Sequence, residues 1–152
     1  MFKYEQKHIN YQGEMMGEAF RDFYDTLVEN LETYAGEYES FIDYGPCLFK
    51  LLCDLLNCDI DHSLKLPICG AIAYYVTPDD VIPENIYGPY GYIDDIYLSS
   101  YVLKLVASKH GYELIQERST PEIENILDEC ESKSLEILND DEIKNILNYI
   151  GL

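Results

Sequence analysis

The chain has 152 residues, 47% of them hydrophobic, which suits one domain with a core and is too apolar for intrinsic disorder. Lys and Arg total 10 against 29 Asp and Glu, a formal net charge of −19. That balance argues against direct nucleic-acid binding, because phosphate contacts need a basic footprint, and against an anionic membrane leaflet. It favours solubility and fast association with a basic partner.

The first sixteen residues, MFKYEQKHINYQGEMM, hold no apolar h-region and no small-residue cleavage site, so no secretory leader is expected. The apolar runs fall short of the roughly 20 residues of a membrane-spanning helix. The five cysteines, Cys47, Cys53, Cys58, Cys69 and Cys130, include no C-x-x-C pair. Three of them, Cys47, Cys53 and Cys69, lie in apolar segments, so they read as buried reduced thiols of a cytoplasmic protein.

In chain order, Phe20, Phe23, Tyr24, Leu27, Leu31 and Tyr34 recur at helical spacing and predict an amphipathic helix over about 14–34, closed by Gly36. A second helix is expected from Tyr44 to Leu56, with Pro46 in its first turn. Its interior, CLFKLLCDLL, is apolar nearly all round, the mark of a buried central helix. The run HSLKLPICGAIAYYV predicts a third, capped by Asp61 or Ser63, with Pro67 tolerated only in the first turn. A strand over Ile72 to Val76 is the alternative, but no partner strand is evident. Asp94 to Ala107 predicts a fourth helix with Ile96, Tyr97, Val102, Leu103 and Val106 inward and Gly111 as its stop. Thr120 as N-cap and Pro121 at the first position open a fifth, whose stripe is Ile123, Ile126, Leu127 and Cys130. A sixth runs from an Asn139-Asp140 cap to Gly151 with Ile143, Ile146, Leu147 and Ile150 inward. The expectation is an all-α, compact bundle of five to six helices in a single domain, 1–152. Its core is 66–107, with N-terminal helices in 14–56 and acidic C-terminal helices in 120–150.

Between the third and fourth helices runs TPDDVIPENIYGPYGYIDD, and no Lys, Arg or His occurs from Leu66 to Leu103. Pro78 bars Thr77 from helical geometry. Asp80 precedes Val81-Ile82-Pro83, where an Asp accepts backbone N–H groups as a cap or Asx-turn. Pro89 and Gly91 supply a second turn. Asp94 and Asp95 fall at a helix N-terminus, where acids complement the dipole. Capping therefore accounts for most of these residues, with Ile82 and Ile86 as apolar plugs.

The pattern Pro78-Asp79-Asp80-Val81-Ile82-Pro83 followed by Gly91-Tyr92-Ile93-Asp94-Asp95 resembles the P-x-D-x-I-P and G-x-x-D-D signature of the YkvA-like family, a bacterial domain of unknown function. The resemblance covers about Leu66 to Ala107 and implies an apolar helical hairpin around a capped turn. Glu84 stands where an Asp is usual and Asp79 where an apolar residue is usual.

Three functions compete. A divalent-metal site, enzymatic or not, would use Asp80, Asp94, Asp95 and Glu84, and oxygen ligands alone suit Mg²⁺ or Ca²⁺. Yet no EF-hand loop, H-E-x-x-H or Glu-x-x-His pair is present. His8, His62 and His110 have no recognisable nucleophile partner, Ser99-Ser100 sits in no G-x-S-x-G turn, and no Gly-rich phosphate loop occurs, so the balance is against an enzyme. Fifteen Tyr and no Trp raise a second idea. Tyr74, Tyr75, Tyr87, Tyr90, Tyr92 and Tyr97 either pack at the bundle edge with hydroxyls outward or form a Tyr-plus-acid interface. Tyr87, Tyr90, Tyr92 and Asp79 would then meet a basic protein, as an inhibitor, antitoxin or immunity-type protein does. A membrane-associated hairpin is a third reading, weakened by acids in the apolar surface and the lack of a basic belt. The non-enzymatic acidic binding protein is the reading adopted, with no cofactor expected.

Overall fold

The structure, a computed structural model, describes residues 22, 24–29, 40–76 and 92–152. Six α-helices and two 3₁₀ turns have bounds within these residues, and no strand occurs among them. The helices are α1 Gly45–Leu56, α2 Lys65–Val76, α3 Ile93–His110, α4 Tyr112–Arg118, α5 Ile123–Ile137 and α6 Asp140–Tyr149. The 3₁₀ turns, Ser40–Tyr44 and His62–Leu64, lead into α1 and α2. Of the expected first helix, Asp22 and residues 24–29 are described and helical, with Tyr24 and Leu27 buried. The rest of 14–34 lies outside the described residues.

The architecture is an all-α bundle centred on α3, which packs on every other α-helix here. Its inward set, Ile96, Tyr97, Val102, Leu103 and Val106, is buried as the spacing predicts. So are Ile93, Leu98, Ser99 and Ser100. The serines fit there because each hydroxyl donates to the carbonyl one turn back, Ser99 to Asp95 and Ser100 to Ile96, both at 2.8 Å. Helix α1 is buried on nearly all sides, including Lys50, whose ammonium reaches Asp54 at 2.6 Å. This agrees with a run of leucines that leaves no polar face to turn outward.

The ends obey local chemistry. Asp61 accepts the Ser63 N–H at 2.9 Å and caps the turn before α2, which begins at Lys65 and so holds Pro67 in its first turn. Gly111, at φ 81°, stops α3 by donating its N–H to the Ala107 carbonyl at 2.7 Å. Asn139 and Glu142 form a reciprocal capping box at the start of α6. Its far end is a Schellman motif, with Gly151 N–H on Asn148 O and Leu152 N–H on Leu147 O.

Three features differ from the sequence expectation. The segment after Gly111 is a further short helix, α4, with Ile115 buried. The fifth helix begins at Ile123, so Pro121 lies in the turn before it rather than at its first position. Thr120 still serves as a local anchor, because its hydroxyl bonds the Glu122 carboxylate and its carbonyl takes the Ile123 N–H. Cys69 is exposed, because α2 turns that edge away from the core, while Cys53 and Cys130 are buried. None of the five cysteines is in a disulfide.

Candidate functional site

The two signature aspartates open α3. Ile93 is its first residue, and Asp94 and Asp95 complete the first turn. Both are buried, at 0% and 1% exposure. The sequence places them at a helix N-terminus but does not show their burial. That burial follows from α3 being the central helix, whose first turn packs against the last turn of α2. Three contributions make the burial of Asp94 tolerable. The helix N-terminus favours negative charge. The Tyr74 hydroxyl donates to Asp94 Oδ2 at 2.8 Å. The Asp95 N–H donates to Asp94 Oδ1 at 3.0 Å.

Tyr75, the next residue on α2, turns to the other side. Its hydroxyl donates to the Gly45 carbonyl at 3.2 Å, and its ring meets Phe49 edge-on at 5.2 Å. Burial pushes its phenol well above the ordinary tyrosine range, and the nearby Asp95 charge adds to this, against a smaller lowering by Ser99. Adjacent tyrosines thus tie the end of α2 to two partners: Tyr74 to the start of α3, and Tyr75 to the start of α1. Tyr92 is 7% exposed and belongs to the same buried set, as does Tyr97. For Tyr74 and Tyr75 the expectation of an edge position with the hydroxyl outward is corrected here. An isolated Tyr hydroxyl shuns a core, but one that finds a carboxylate or a carbonyl does not.

Of the candidate metal ligands, the structure brings Asp94 and Asp95 together. Asp80 and Glu84 lie outside the described residues. So do Asp79, Tyr87 and Tyr90 of the candidate interface, and Pro78, Ile82, Pro83 and Gly91 of the motif. Among the described residues no group of three His, Cys, Asp or Glu side chains is placed to hold a metal ion.

Sequence reasoning missed two residues on α2. Tyr74 is the hydrogen-bond donor to Asp94, and Gly70 is a contact point for the C-terminus. A Cβ built at Gly70 would lie 2.6 Å from Ile150 Cγ2. Leu66, Gly70 and Tyr74 are spaced four apart and so form one line along α2, the periodicity that would have exposed both.

The family described as a protein of unknown function, DUF1232, matches residues 64–101, which span α2, the Pro- and Asp-rich connection and the first half of α3. The chain is also 32% identical over 127 residues to the uncharacterized protein ORF9 of Methanothermobacter thermautotrophicus, covering 82% of this chain and 86% of that one. The chain belongs to the DUF1232 family. The YkvA-like signature is that of a DUF1232 protein, and the family match over 64–101 overlaps most of the 66–107 assigned to the helical hairpin from the motif. The likeness to the archaeal protein runs well beyond this hairpin. No solved structure matches the chain. No helix among the described residues is long and apolar enough to cross a membrane.

Proposed function

We propose that this DUF1232 protein is a non-enzymatic acidic binding protein whose partner is a basic protein, held at the surface of its C-terminal helices. The observation that carries this reading is the charge of the outer surface there. From Gly111 to Leu152 the sequence has 11 acids and 3 bases. Glu113, Glu117, Glu122, Glu124, Asp128, Glu136, Asp140 and Asp141 are exposed. Lys104 offsets part of it by reaching Asp128 at 2.7 Å and Glu131 at 2.9 Å. A one-signed surface steers an oppositely charged partner and rejects like-charged ones. The part given to the signature aspartates is structural, supported by the Tyr74 bond to Asp94 and by the helix dipole.

Immobilised full-length protein should retain basic proteins from extracts of its own host at low salt and release them at high salt. A variant with Glu124→Gln, Asp128→Asn, Glu136→Gln, Asp140→Asn and Asp141→Asn should retain little. Equal retention by both forms, or none by either, would contradict the proposal.

A second reading is a divalent-cation site at Asp80, Asp94, Asp95 and Glu84, taking Mg²⁺ or Ca²⁺. It is favoured by two adjacent buried carboxylates in a stretch with no basic residue from Leu66 to Leu103. Its test is thermal unfolding of the full-length protein with and without added Mg²⁺ or Ca²⁺.

A further inference from the structure

We infer that the strip between α3 and α5, with Tyr101 and Tyr112 on one side and Glu124, Asp128 and Glu131 on the other, is where an arginine-bearing segment of a basic protein docks. The inference rests on the acidic-binding reading above and gives that partner a defined site.

Two packed helices and the start of a third build the strip. Helix α5 packs closely on α3. Glu124, Asp128 and Glu131 follow i, i+4, i+7 spacing, so they form one line along α5. At 1.5 Å per residue that line is about 10 Å long. Leu135, 45% exposed, extends it by one more turn. Helix α3 brings Tyr97, Tyr101 and Lys104 alongside, and Tyr112 opens α4. Tyr97 is buried, and its ring meets that of Tyr101 at 6.3 Å. Tyr101 and Tyr112 are half-buried against the core. Half-buried phenols make a rigid contact surface, apolar at the base and polar at the tip, of the kind enriched at interfaces.

The chain's own lysine shows how a cation sits here. Lys104 Nζ reaches Asp128 Oδ1 at 2.7 Å and Glu131 Oε1 at 2.9 Å. The other ion pairs described on α4 and α5 are looser, Arg118 with Glu117 at 3.7 Å and Lys133 with Glu136 at 3.9 Å. Part burial alone would lower the Lys104 ammonium, but its bonds to Asp128 and Glu131 outweigh this and hold it above the ordinary lysine range. The strip therefore favours a cation that has given up part of its water.

One ammonium does not saturate three carboxylates. The Asp128 side chain stays 57% exposed with Lys104 in place, and Glu124 is exposed with no ion pair among the described residues. The Tyr112 phenol registers the surplus. It is raised by part burial and by Glu124, against a lowering by Lys104, with Asp128 and Glu131 adding to the rise. Arginine fits this setting better than lysine. Its planar guanidinium meets a carboxylate with two N–H groups, stacks on a tyrosine face and is more weakly hydrated than an ammonium. An acidic partner would be repelled both by the strip and by the chain's net charge of −19.

The test uses a fluorescent alanine-based peptide with arginines at i, i+4 and i+7, and the same peptide with lysines. Each is titrated by anisotropy into the full-length protein at about 0.15 M salt, where distant charges are screened. Glu124→Gln/Asp128→Asn/Glu131→Gln should weaken binding of the arginine peptide by about tenfold or more. Glu136→Gln/Asp140→Asn/Asp141→Asn removes the same charge from exposed positions off the strip and should barely change it. Lys104→Met frees two carboxylates and should tighten binding by about tenfold, whereas Lys144→Met, at an exposed position of α6, should not. This second pair decides the matter should the strip variant fail to fold. Equal losses in the two triple variants, or equal gains in the two lysine variants, would overturn the strip and leave the acidic-surface reading standing. No loss in either triple variant would overturn both. Equal affinity of the two peptides would overturn the assignment to arginine, and no binding by wild type and Lys104→Met alike would overturn the strip.

Discussion

At the scale of single residues, the informative side chains are those that place polarity inside the bundle. Tyr74→Phe removes the donor to a buried carboxylate. It should cost about 1–3 kcal/mol in urea unfolding, the range for stranding a buried acceptor, while Tyr149→Phe should be nearly neutral. The buried thiols and phenols set the alkaline limit of stability. Burial, the neighbouring Glu129 charge and lesser effects push Cys130 up to about 12 from 9.0. Cys53 is raised further, and Tyr75 is raised well above its ordinary range, both chiefly by burial. These groups keep their protons in the folded chain and lose them in the unfolded one. Their contribution is therefore complete below about pH 9 and falls as pH rises toward the folded values, by about 1.4 kcal/mol per pH unit for each group so affected. A urea midpoint that stays flat from pH 8 to pH 11 would contradict this. In the native chain at neutral pH, an aromatic disulfide reagent should label exposed Cys69 quickly and Cys53 and Cys130 only on unfolding. The acidity of the starting turns was legible in the sequence, but the burial of Asp94 was not. It depends on a donor 20 positions away that a linear reading cannot pair with it.

At the scale of elements, the helix-forming segments were legible because their periodicity and punctuation agreed. The leucine run of α1, Gly111 at φ 81° and the Asn139 cap each correspond to a structural boundary or face. Helix α4 was not legible, since YELIQER is short and has a single buried side chain, Ile115. Gly70 was also passed over, because a glycine inside a helical pattern reads as a weakness until its neighbour is known. In an exposed helix Gly→Ala gains about 1 kcal/mol. Here the added Cβ would meet Ile150 side-chain atoms at 2.6 and 2.9 Å, so the change should be destabilising by about 1–3 kcal/mol, the cost of overpacking. Hydrogen exchange should accelerate across 140–150 in Gly70→Ala and change little in α3. Replacing Asn139 by Ala, which breaks the capping box, should cost about 1 kcal/mol and loosen the same helix.

At the scale of the whole molecule, surface charge and the buried signature carboxylates lie in different places. Most acids of α4, α5 and α6 are exposed, whereas those of the family signature that are described, Asp94 and Asp95, are inside, and Asp94 ties α3 to α2 through Tyr74. Composition made the acidic surface readable from the start, and the signature made the helical hairpin readable. Neither named a partner, because a net charge carries sign and no shape. The central claim is that the signature aspartates hold the fold together and bind no metal. It is tested most directly by thermal unfolding of the full-length protein in EDTA, Mg²⁺, Ca²⁺ or Mn²⁺, beside Asp94→Asn/Asp95→Asn. The account predicts one melting temperature for the wild type in all four conditions and a lower one for the variant, equally insensitive to metal. A saturable rise with one cation, lost in the variant, would contradict it, since a ligand bound only to the native state stabilises by mass action.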